Sequence, residues 1–149
     1  MIPSIRSYIA LFTLVFLVGC DKELVEKQGG LVEMSLGSSV LQVELALNRD
    51  SQARGLMHRD YLPEDQAMLF VFKETQQMSF WMRNTRIPLD IGYFTADGIL
   101  REVYPLYPFD ENARRSIRTD LLYALETNQG WFAKNGIKIG DKLDLSSLK

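Results

Sequence analysis

Two strand-like runs, Leu89-Asp90-Ile91-Gly92-Tyr93-Phe94 and Ile99-Leu100-Arg101-Glu102-Val103-Tyr104, flank the dipeptide Asp97-Gly98. Asp-Gly between strand-like runs is a strong hairpin signal, because both residues tolerate the positive φ angles of a tight turn. Working outward, Met68-Leu69-Phe70-Val71-Phe72 is a short, wholly apolar run bounded by polar residues, as expected of a central strand. Leu41, Val43, Leu45 and Leu47 alternate with Gln42, Glu44 and Ala46, the period-2 pattern of a strand with one buried face; Leu31 to Leu36 is its hairpin partner across Gly37-Ser38-Ser39. Met78 to Met82, Leu121 to Glu126 and Ile137 to Leu145 read as further strands, and the charged stretch from Asp110 to Arg118 as a loop. Asn48 is placed to cap a short helix running to Met57, weakened by Gly55. A second helix, capped by Asn128, covers Trp131 to Lys134 and stops at Gly136. The expected class is α+β: a mainly antiparallel sheet, or a partly closed barrel, with two short helices.

The rest of the composition narrows the function. Among 149 residues, 46% are hydrophobic and 24% charged, the balance of a globular domain with a packed core. A net charge of −2 argues against a basic nucleic-acid grip, and no nucleic-acid partner is expected. One cysteine and one histidine exclude a disulfide framework and any zinc site built from several such ligands.

Arg6 precedes the apolar run Ile9 to Val18, too short for a bilayer core that needs ~20 apolar residues, so it reads as the h-region of a signal peptide. It closes in Leu17-Val18-Gly19-Cys20, which resembles a bacterial lipobox. That resemblance implies lipidation of Cys20, cleavage after Gly19 and a membrane anchor holding the mature chain in the cell envelope, on the outer side of the cytoplasmic membrane. Two or more acyl chains make such anchoring stable. Residues 1–19 are then signal, residues 20–30 a polar tether and residues 31–149 one domain.

Asp90 is the anomaly inside its run. A carboxylate desolvated without partners costs several kcal/mol, so it must be hydrogen-bonded, paired or exposed at a strand start. One reading ties it to the backbone of the Asn84-Thr85 turn; another gathers Asp90, Asn84, Thr85 and an arginine, Arg54 or Arg59, with Trp81 in a small binding site. Strand alternation places Met78, Phe80 and Met82 on the core face, leaving Trp81 and Arg83 for solvent or a ligand such as a sugar ring or carboxylate. Met57, His58, Met78 and Met82 near Trp81 raise a Cu(I) carrier as an outside alternative, against which methionines flanking Phe80 are ordinary core filler. No Gly-x-Ser-x-Gly, phosphate loop or facing pair of carboxylates is present, so no catalytic residue and no cofactor or metal is assigned.

The blocks Arg54-Gly55-Leu56-Met57-His58-Arg59, Met68 to Phe72, Ser79 to Thr85 and Ile87-Pro88-Leu89-Asp90, followed by Tyr123-Ala124-Leu125-Glu126, Gly130 and Gly136 to Asp141, resemble the domain of unknown function 192 family. The resemblance implies a compact β-rich fold and frequent export. The chain departs from it at Asn48-Arg49, where many members have Thr-Pro, and at His58, where many have Phe. The first preserves a cap; the second argues against an essential imidazole. The expectation is a non-enzymatic envelope lipoprotein that binds a small molecule or an envelope protein, with a small hydrolase or transferase acting on envelope material as the alternative.

Overall fold

The computed structural model describes residues 30–148, so the expected signal peptide, Cys20 and almost all of the expected tether lie outside the described residues. Among the described residues eight strands follow in order: β1 (Leu31–Leu36), β2 (Ser39–Ala46), β3 (Gln66–Gln76), β4 (Ser79–Phe80), β5 (Leu89–Thr95), β6 (Leu100–Leu106), β7 (Arg114–Arg115) and β8 (Leu121–Asn128). Helix α1 (Arg49–Arg54) lies between β2 and β3, α2 (Trp131–Lys134) follows β8, and a 3₁₀ turn spans Ser146–Leu148.

Six strands form one sheet in the order β1-β2-β3-β8-β5-β6, while β4 and β7 make a separate two-stranded ribbon. The sheet is open, with β1 and β6 at its edges, so of the two expected forms the barrel is not the one adopted. All its pairings are antiparallel except β2 with β3. Parallel neighbours cannot be joined by a tight turn, and the crossover between them is the segment carrying α1.

Both faces of the sheet are covered at its middle, which is why a stretch such as Ala67 to Phe70 of β3 is apolar and buried on both sides. Ala67 and Leu69 enter one core with Leu41, Val43, Leu125 and Phe132, whereas Met68 and Phe70 enter a second with Leu56, Met78, Met82 and Tyr93. Pro105 is tolerated in β6 because that strand is an edge. The hairpin read at Asp97-Gly98 is present, with Gly98 at φ +82.

Four local expectations are corrected. The extended segment around Trp81 shrinks to Ser79–Phe80, because the chain turns soon after: Thr85 donates its N–H to the Met82 carbonyl at 3.0 Å. Its partner β7 comes from the stretch read as a loop. Ile137 to Leu145 is no strand and makes only the isolated bridges Leu36 with Leu143 and Ile99 with Lys142. A turn interrupts it, where the Asp141 carboxylate accepts from the Lys138 N–H at 2.7 Å. Asn128 does not cap α2; it pairs with Leu89 at the end of β8 and donates from Nδ2 to the Leu62 and Pro63 carbonyls, leaving Gly130 at the cap.

Candidate functional site

The central strand β8 carries a carboxylate on the face of the second core. Glu126 is in register with Met68 of β3 on one side and Ile91 of β5 on the other, and is 4% exposed. Among the described residues no hydrogen bond reaches its side chain, which lines a cavity open to solvent. Burial pushes its pKa up to about 8, opposed only in part by the positive charge of Arg59.

The cavity has a volume of about 250 Å³. Phe70 and Phe72 of β3, Phe80 of β4 and the adjacent Trp81 line it, facing the end of α1 with Arg54 and Gly55. The aromatic wall is a connected cluster: Phe80 meets Phe70 edge-on at 4.8 Å between centroids and lies 6.4 Å from Phe72. Trp81 is 47% exposed at the rim, and the Arg83 guanidinium stands 5.7 Å from the centre of its ring.

Local sequence builds the opposite wall. Asn48 accepts from the Ser51 N–H at 2.9 Å while the Ser51 hydroxyl accepts from the Asn48 N–H, a reciprocal cap that starts α1. Gln52 fastens the helix to the sheet by donating to the carbonyls of Ala46 and Val71 at 3.2 and 2.8 Å. Gly55 ends it at φ 48 and ψ −134, a combination open to glycine alone without strain. A Cβ there would lie 3.4 Å from the Phe70 ring and 3.9 Å from Glu126 Oε2, so the missing side chain helps leave the space. Asn84, at φ 55, accepts from the His58 N–H at 2.9 Å and docks the Trp81 segment beside the helix end.

Of the residues singled out in the sequence, Arg54, Trp81 and Thr85 share this cavity and Asn84 braces its entrance. Arg59 lies near enough for its charge to act on Glu126 while its guanidinium pairs with Glu44 at 2.7 Å. Asp90 belongs elsewhere. It is opposite Thr127, one register position from Glu126 and so on the other face, where its carboxylate accepts from the Gly130 N–H at 2.8 Å. The expectation that it pairs with an arginine or the Asn84-Thr85 backbone is therefore corrected: strand parity turns it away from both. Met78 and Met82 are 1% and 2% exposed in the second core, as the alternation predicts, whereas His58 is exposed.

Comparison with known proteins adds the family. Residues 32–145 match the model of DUF192, described as "Uncharacterized ACR". The chain belongs to the DUF192 family. Two solved structures are similar to this DUF192 domain. A protein of unknown function from Novosphingobium aromaticivorans shares 34% identity at a TM-score of 0.73, over 76% of this chain and 84% of that one. A Sinorhizobium meliloti protein described as a candidate transcription regulator shares 32% identity at a TM-score of 0.72, over 78% of this chain and 96% of that one. No curated protein matches. Among the described residues of this DUF192 protein, no helix is long and apolar enough to cross a membrane.

Proposed function

We propose that this DUF192 domain is a membrane-tethered binding module of the cell envelope, which takes a small ligand into the cavity between Trp81 and Glu126 and does no chemistry on it. The observation that carries the reading is the Glu126 carboxyl. It is buried on the central strand with no hydrogen-bond partner among the described residues, and it opens onto a cavity with aromatic walls. An unpartnered carboxyl in such a place costs stability, and that cost is offset when an outside group supplies the missing partner. At about 250 Å³ the cavity falls just below the ~300 to 1,000 Å³ of drug-sized sites, which suits a small ligand. Lipidation of Cys20, supported by the lipobox-like Leu17-Val18-Gly19-Cys20, would hold the domain at a membrane surface.

One observation also favours an enzyme. A carboxyl titrating near neutrality is what a general acid or base requires. The two classes separate on Glu126→Gln, which removes the proton but keeps the shape: a binder loses affinity in a graded way, whereas an acid-base catalyst loses turnover steeply with little change in substrate binding. Membrane tethering is tested with Cys20→Ser, which should leave the chain uncleaved or free of lipid-dependent attachment. An unmodified thiol in the N-terminal peptide of the wild-type protein, seen by mass spectrometry, would sink the tether.

A further inference from the structure

Resting on the cavity reading above, we infer that the ligand carries an organic ammonium group, methylated or otherwise compact, with its charge set against Glu126 and its alkyl substituents against Phe70, Phe72, Phe80 and Trp81. Ring faces attract cations through their quadrupole, and several rings around one carboxylate make a site for ammonium groups that water solvates poorly. Trp81 already shows this affinity, since the Arg83 guanidinium stands 5.7 Å from its ring centre. Other polar groups of the lining are engaged: Gln52 donates to two backbone carbonyls and Thr85 to the Arg83 carbonyl. That leaves Glu126 as the deep group seeking a counter-charge.

Arg54 stands on the exposed last turn of α1 and can keep its head in water. Arg59 acts on Glu126 but is paired with Glu44. From β5, Tyr93 donates its hydroxyl to the Arg114 carbonyl, and burial holds its ionisation far above neutrality. An anionic ligand would meet Arg54 at the rim but a carboxyl at the end of the cavity; an ammonium meets the reverse, and once ionised the buried group decides because charge interactions strengthen away from water.

A pH signature follows. With the free carboxyl protonated up to about pH 8, an ammonium ligand must displace its proton, so affinity rises about tenfold per pH unit toward that value and levels off above it. The test is calorimetric titration of the full-length protein in maltoside micelles with choline and with its uncharged isostere 3,3-dimethylbutan-1-ol, at pH 6 and pH 9. Expected is choline binding at least about tenfold tighter than the isostere at pH 9, with proton release at pH 6 and with affinity and pH dependence both lost in Glu126→Gln. Competition for choline by phosphatidylcholine vesicles but not phosphatidylglycerol vesicles would assign the ammonium to a lipid headgroup; no competition would assign it to a free solute. Either source supports the inference. Isostere binding equal to or tighter than choline, and lost in Trp81→Ala, would overturn the ammonium assignment while leaving the cavity as a binding site. If neither compound binds and a library of neutral and anionic fragments is equally silent, both the assignment and the cavity reading fall. Glu126→Leu guards against misfolding: it should melt no lower than wild type and still bind no choline.

Discussion

Asp90 and Glu126 are two carboxylates on adjacent strands, one position apart in the β5–β8 register and both buried, at 9% and 4% exposure, with Glu126 the more deeply desolvated. Their faces differ, and with them their fates. Asp90 meets the Gly130 N–H at the start of α2, so its burial fastens a helix to the sheet. Glu126 meets the space left by Gly55 and the rings of β3 and β4. Desolvation raises both pKa values, and only for Asp90 does a backbone hydrogen bond pull back. Both are withdrawn from water, so burial by itself does not make a binding group. The presence of a partner separates the two.

The comparison breaks most visibly with pH. Glu126 binds its proton more tightly folded than unfolded, so between about pH 4.5 and about pH 8 the native state holds the extra proton and stability falls as pH rises, by about 1.4 kcal/mol per unit. Its contribution is full below the lower value and lost above the upper. Urea melts across this window should show the fall in wild type and a much flatter profile in Glu126→Gln, with Glu126→Leu more stable than wild type at pH 8. Asp90 has the same sign, its fall beginning at its ordinary value near 3.8, so that fall should persist in Glu126→Gln. A wild-type profile flat from pH 5 to 8 would mean that Glu126 is ionised in the folded protein, and the contrast with Asp90 would vanish.

Next in size is Gly55→Ala. At φ 48 and ψ −134 a Cβ is strained whatever the space, and here it also approaches Phe70. The expected loss is ~1 to 3 kcal/mol in chemical denaturation, with weaker binding of any ligand in the cavity. Asp90→Ala should cost less, about 1 kcal/mol, because Gly130 is exposed and water can take over its N–H; Asp90→Asn, which keeps an acceptor, should melt close to wild type. An Asp90→Ala loss above ~3 kcal/mol would indicate a cation left stranded and restore a charged partner to Asp90.

How far the sequence carried these points depends on parity. The strand runs at Leu31, Leu41, Met68, Leu89, Ile99 and Leu121 were legible because period and apolarity are local properties. Register is not local, and it alone decides which face of the sheet Asp90 and Glu126 occupy. Like Asp90, Glu126 is a carboxylate in an apolar run, Leu121 to Glu126. In sequence, however, Glu126 is the last residue of that run, where a polar end is ordinary. The strand in fact continues to Asn128, since Leu89 of β5 pairs that far. Arg54, Trp81 and Thr85 were found together because the turn after Met82 and the end of α1 are short segments joined by one backbone bond, His58 to Asn84.

The smallest effect sharpens the comparison from the charge side. Arg59 is the cation whose charge lowers Glu126, and its pair with Glu44 is about one-third exposed, so the pair itself is worth under ~1 kcal/mol. Arg59→Gln should therefore change stability little below pH 4.5, where Glu126 is protonated in both folded and unfolded chains. Above that, the variant should lose stability over a wider window, because without the nearby positive charge the folded carboxyl holds its proton to a higher pH than in wild type. Direct titration by carboxyl carbon NMR would read the same shift upward from about 8. Asp90 serves as the internal control, since no arginine contributes to its shift and its titration should not move. If the Glu126 signal stays in place in Arg59→Gln but rises in Arg54→Gln, the cation governing the cavity is the one at its rim, and an incoming ammonium would have to compete with Arg54 rather than with the proton alone.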